Sequence, residues 1–136
     1  MRVQINAAYP RRDKSADGSI GDAAHSSRTS DHNPNPSGVV CAIDVTHDPK
    51  NGLDAGSIAN TLRMSGDRRI KYIISNRRIA NSGEPWRQYN GSNPHDHHFH
   101  VSVHGNYDDR SPWVIGAGNA GIVERAVAAV KNIVAP

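Results

Sequence analysis

Apolar positions along the chain fall into short alternating runs separated by long polar stretches, with helical spacing in two places. The first alternating run is VVCAIDVT, Val39 to Thr46. Cys41, Ile43 and Val45 share one face, and Val40, Ala42, Asp44 and Thr46 share the other. IKYIIS, Ile70 to Ser75, reads as a buried strand. Asn76 and the two arginines after it turn the chain, and RIA begins a return strand. HFHVSVH, His98 to His104, is the last clear strand. Helical spacing marks Ser57 to Arg69, where Ile58, Ala59 and Leu62 share a face and Asp54 or Ser57 caps the start. It returns in Ala117 to Ala135, with a stripe of Ile122, Val123, Ala126, Val127 and Val130. Residues 11–38 and the stretch NSGEPWRQYNGSNP are rich in turn formers and read as loops. This pattern predicts an α+β fold, a small antiparallel sheet with packed helices. Residues 1–115 form the domain. Residues 116–136 are a Gly-rich joint and a C-terminal helix, which packs on the domain or leads toward a further module.

Composition narrows the class only a little. A chain of 136 residues suits one domain with a modest core. The balance of 16 basic against 13 acidic residues gives a mild +3, which favours an anionic partner such as a cell wall without identifying one. The basic residues are scattered and form no nucleic-acid-binding arm, so no nucleic acid partner is expected. A single cysteine, Cys41, excludes an intramolecular disulfide. The N-terminus has no apolar signal-peptide core, and no run is long enough to span a membrane. The expectation is synthesis in a cytosol, with release by another agent if the chain acts outside, and a monomeric state.

Candidate chemistry concentrates in NPHDHHFHVSV, Asn93 to Val103, with four histidines in six positions. Strand alternation puts His98, His100 and Ser102 on one face and His97, Phe99, Val101 and Val103 on the other. The second face is the apolar one, so His98 and His100 point together into a cleft, and His97 is assigned to the core side. Two imidazoles on a strand are a rigid platform for a metal. Catalytic zinc takes three protein ligands and keeps one position open. His32, in a polar loop, and Asp44, inside an apolar strand, are the candidates to complete the set. An aspartate there is costly unless it is paired, hydrogen-bonded or metal-bound, so Asp44 either binds metal or holds a buried loop together. His25, His47 and His104 read as structural or solvated.

The pairing SDHNPNPSGVVCAID with PHDHHFHV resembles the zinc peptidase superfamily of D-Ala-D-Ala peptidases, lysostaphin-type endopeptidases and the hedgehog signalling domain. Its pattern is Ser-x-His, an Asp in the next strand, and a distal His-x-His, here Ser30, His32, Asp44, His98 and His100. The longer match looks like the peptidase domain of phage endolysins and runs from about Ile5 to Trp113. The resemblance implies a hedgehog/D-Ala-D-Ala-peptidase-like fold and one Zn²⁺ held by His32, Asp44 and His100, with His98 as a helper beside the metal. The murein endopeptidase-like branch has His-x-x-His-x-His, which here is His95, His98 and His100. It implies His95 with His98 as the proton-transfer pair and leaves Asp96 in reserve. Two departures stand out: His97 occupies a position where many members carry an acid, and twelve residues separate His32 from Asp44, more than is usual.

The implied activity is zinc-dependent hydrolysis of an amide bond in a peptidoglycan stem or cross-link peptide. Arg28 and Ser30 are candidates to bind substrate or the oxyanion, and Trp86 and Tyr89 to wall the groove. The alternative is a non-catalytic zinc-containing module that binds cell wall or protein. A metal-dependent nuclease is a weaker rival.

Overall fold

The computed structural model describes residues 1–18, 30–105 and 111–116. Arg28, His25 and the helix expected over Ala117 to Ala135 lie outside them.

Among the described residues, two α-helices and five strands follow in order. Helix α1 is Arg2–Ala8 and strand β1 Ala42–Thr46. After a 3-10 turn at Pro49–Asn51 come α2 (Ala55–Ser65), β2 (Ile70–Ser75), β3 (Arg78–Asn81), β4 (Arg87–Gln88) and β5 (His98–Val103). The strands form one antiparallel sheet in the order β1-β5-β2-β3-β4. This is the expected α+β architecture, with the histidine-rich strand β5 between β1 and β2.

Alternation decides what each face meets. Val45, Ile73, Phe99 and Val101 pack on one side against Ile58, Ala59 and Leu62 of α2, with Ile5 of α1, Leu53 and Ile115 completing the core. Phe99 and Val101 are fully buried, as their parity requires. Helix α2 starts two residues before the expected Ser57, because Asp54 is its cap: the carboxylate accepts the Ser57 N–H at 3.1 Å. It also ends four residues before Arg69. Gly66 takes a left-handed φ of 65°, and its N–H closes on the Arg63 carbonyl. Strand β1 is shorter than VVCAIDVT, beginning at Ala42.

Three features have no local signal. Helix α1 is only seven residues long, yet it buries Ile5 completely. Strand β4, inside the stretch read as loop, is two residues long. The loop after α1 is tied down by a buried ion pair. Arg12 makes a two-pronged contact with Asp17 at 2.6 and 2.9 Å, and Asp17 in turn accepts the N–H and hydroxyl of Thr46. That anchor brings Gly18 beside Asp44 as an isolated antiparallel bridge.

Among the described residues, no helix is long and apolar enough to cross a membrane.

Candidate metal centre

On the face opposite the core, β1 and β5 pair Asp44 directly with His100 and Thr46 with His98. Strand β2 sets Ile74 against His100 and Tyr72 against Ser102. Strand β5 therefore carries an aspartate on one flank and a tyrosine on the other. Tyr72 stacks on the His100 ring at 5.5 Å with an interplanar angle of 14°.

His32 reaches this face from the loop before β1. Twelve residues separate it from Asp44, and the excess is taken up by a closed turn. Asn35 N–H donates to the Val39 carbonyl at 2.8 Å, and the Asn35 side-chain oxygen accepts the N–H groups of Ser37 and Val39. Gly38 supplies the left-handed corner at φ 78°. The Ser30 hydroxyl oxygen accepts the His32 N–H at 3.2 Å, so Ser30 orients this loop and also lines the cavity beyond it.

His32 Nε2, Asp44 Oδ1 and His100 Nδ1 form a near-equilateral triangle. His32 to His100 is 3.1 Å, His32 to Asp44 3.2 Å and His100 to Asp44 3.1 Å. A tetrahedral zinc with ligands at about 2.0–2.1 Å places its donor atoms roughly 3.3 Å apart. The triangle fits that spacing. Three electron-rich atoms this close repel unless a cation or a proton lies among them. Two buried imidazoles and a carboxylate are also the donor types that suit a borderline-soft divalent ion. His32 and His100 are each about 5 % exposed.

Behind His100 runs a hydrogen-bond relay. His100 Nε2 lies 2.7 Å from the Ser102 hydroxyl. Ser102 also bonds to the Asp31 carboxylate, which Lys71 holds at 3.2 Å. With Nε2–H donated to Ser102, Nδ1 is the nitrogen left with a lone pair facing Asp44 and His32. Burial pushes the Asp31 carboxyl up, but bonds from Ser102, Lys71 and Tyr72 outweigh it and hold it below its ordinary value. Asp44 shows the same contest. Burial disfavours its charge, and the hydrogen bonds and charges of His100, His32 and His98 outweigh that, so its carboxyl sits well below the usual range.

His95 and His98 stand on the other side of Asp44. Their rings are 4.8 Å apart, centroid to centroid, in an edge-on arrangement. His98 Nε2 is buried without a hydrogen bond among the described residues and lies 3.7 Å from Asp44 Oδ2. His95 Nδ1 lies 2.8 Å from the Asn93 carbonyl. A carbonyl only accepts, so Nδ1 carries the proton and Nε2 keeps its lone pair. The loop holding His95 is docked on the tip of the β2–β3 hairpin. Asn76 and Arg77 both have positive φ, 47° and 65°, as a two-residue primed turn needs. Their N–H groups donate to the carbonyls of His95 and Pro94 at 2.8 Å. His95 itself sits at φ 55°, a conformation that a non-glycine residue keeps only when its surroundings impose it. Burial pushes its imidazole down to about 4, and burial lowers His98 as well.

A cavity of about 280 Å³ opens over the triangle, lined by Ser30, Tyr72, Tyr89, Ser92, Asn93 and His95 among others. A second, of about 310 Å³, lies on the far side of His95 and His98, beside His47 and Asp96. His32, Asp44, His95, His98 and His100 thus converge, and Tyr89 meets the His95 ring edge-on at 5.6 Å. Trp86 does not join them. Its indole N–H donates to Asn60 at 2.9 Å and its ring packs against the core beside Arg63 and Arg78, so it anchors the β3–β4 arm. His97 is not on the core side either. The strand begins one residue later, alternation does not reach it, and its side chain is 88 % exposed. His47 is structural: its Nδ1 accepts the Ala55 N–H at 3.1 Å. Tyr72, Asp31 and Ser102 are the site residues that sequence reading passed over. For Tyr72 and Ser102 the available signal was a polar residue inside a strand on the parity of the ligands.

No protein-family model matches the chain, and neither does any curated protein or solved structure.

Proposed function

We propose that the chain is a zinc-dependent peptidase that hydrolyses an amide bond in the stem or cross-link peptide of peptidoglycan. It would act on the cell wall after release from the cell that makes it, in the manner of a phage endolysin. The observation that carries this reading is the triangle of His32 Nε2, Asp44 Oδ1 and His100 Nδ1, with the His95 lone pair beside it. Those three residues would hold the metal. A zinc ion there supplies a water of lowered pKa and a Lewis acid for the scissile carbonyl.

The chain's own residues do the rest. His95 Nε2 takes a proton from the attacking water and returns it to the leaving amine. Its Nδ1–H bond to Asn93 fixes the tautomer, and its lowered pKa keeps the lone pair available at neutral pH. His98, next to Asp44, steadies that exchange. Ser30, Tyr72, Tyr89 and Asn93 give the cavity polar walls suited to an extended peptide backbone. Ser30 keeps the oxyanion assignment; the Arg28 assignment rests on its place near His32 in the sequence alone.

The test is digestion of purified cell wall with and without a chelator, read by mass spectrometry of the released peptides. New amino termini that vanish on metal removal and return with Zn²⁺ are the expected result. Undiminished cleavage after thorough metal removal would sink the zinc mechanism. Bound zinc with no bond cleaved would leave a binding module.

A further inference from the structure

Asp44 has two oxygens, and the triangle uses only Oδ1. Oδ2 points the other way, toward His98 Nε2 at 3.7 Å. That nitrogen is buried and has no hydrogen-bond partner among the described residues. Burying a polar nitrogen without a partner costs free energy, and a bound ligand would recover it. His95 adds a third donor. Its Nδ1 is committed to Asn93, which leaves Nε2 to face its neighbours. One donor atom each from Asp44, His95 and His98 lie within 4.8 Å of one another.

We infer that Asp44, His95 and His98 form a second, weaker divalent-cation site that shares the Asp44 carboxylate with the first. The deduction deepens the peptidase reading, because the second ion sits on the residues given to proton transfer. Bridging by one carboxylate through its two oxygens is ordinary coordination chemistry, and paired metals in hydrolases lie about 3.5–4 Å apart. Two features make this site the weaker one. Its donors are spread wider than the 3.1–3.2 Å of the triangle, so the rings must close in around an ion. And a single carboxylate charge must serve two dications, so the first ion repels the second. Occupation of the second site ties up the His95 lone pair, which removes the base. Excess metal thus becomes an inhibitor of the enzyme that needs the first equivalent.

The experiment titrates Zn²⁺ into metal-free, full-length protein by calorimetry, with bound metal measured directly after dialysis. The wild type is expected to take up two equivalents in separable steps. His98→Ala and His95→Ala should each lose the second equivalent and keep the first. Glu84→Gln, at an exposed acid that lines neither cavity, should keep both. Circular dichroism establishes that each variant is folded, and His95→Gln or His98→Gln replaces the alanine variant at the same position where it is not. A wild type that saturates at one equivalent overturns the inference, and so does a second equivalent retained by both histidine variants. Inhibition of cell-wall cleavage should follow occupancy of the second step. Cleavage that continues unchanged with both equivalents bound overturns the inhibitory role. Because the titration needs no substrate, absence of peptidase activity would count against the function and leave the metal result standing on its own.

Discussion

Ser102 is fully buried on a strand face crowded with imidazoles, and its hydroxyl joins His100 to Asp31. Outer hydrogen bonds of this kind fix which ring nitrogen faces a metal. Ser102→Ala leaves the three ligands in place but frees the His100 tautomer. We expect zinc affinity to fall about 10- to 100-fold, measured by competition with a chromogenic chelator. An unchanged affinity would mean that the relay is only packing. His95→Ala makes the complementary cut: the first zinc equivalent intact, turnover lowered about 10²- to 10⁴-fold. Near-normal turnover with metal retained would move proton transfer to His98 or Asp96. At this scale the sequence was most legible where alternation applied. Parity alone set His98, His100 and Ser102 against Phe99 and Val101. It failed at His97, one residue outside the strand.

Between elements, the site depends on segments that bear no ligand. The Arg12–Asp17–Thr46 network clamps the N-terminal loop onto β1, and Gly18 then lies so close to Asp44 that a Cβ added there would come within 3.2 Å of Oδ2. Arg12 is 5 % exposed, and removing it leaves a mostly buried carboxylate with only Arg2, at 3.9 Å, as counter-charge. Arg12→Ala should cost about 3 kcal/mol or more in urea unfolding. A loss well under about 1 kcal/mol, the range of exposed ion pairs, would show that water takes over the role of Arg12. None of this was readable beforehand. Arg12 and Asp17 sit in a stretch of turn formers, and their meaning comes from Thr46, some thirty residues away. Strand β4 and helix α1 were missed for the same reason. Each is too short to show a period and is held by contacts distant in sequence. The strands β2 and β5 and the helix α2 carry their own pattern and were visible without those contacts.

Across the whole molecule, the buried polar groups make stability depend on pH. His95 titrates near 4 when folded against 6.5 in its ordinary state, and His98 is lowered too, both by burial. Between those values the unfolded chain binds more protons than the folded one. Stability therefore rises with pH through that window and is lost as pH falls through it. Asp44 and Asp17, both held low, add stability above the ordinary carboxylate range and lose it only in stronger acid. The melting temperature of the metal-free protein should drop between about pH 7 and about pH 5, and the drop should shrink in His95→Gln. A flat profile for the wild type across that range would contradict it.

The closed turn after His32 bears on how such sites diversify. Its two ends meet at Asn35 and Val39, so the loop departs and returns to nearly the same place. The number of residues between the first two ligands is then a tether length with slack, not a ruler. Insertions or deletions in the turn can accumulate while the donor triangle stays the same size. The geometry of the triangle is then set by the cross-strand register of Asp44 with His100 rather than by the count of intervening residues.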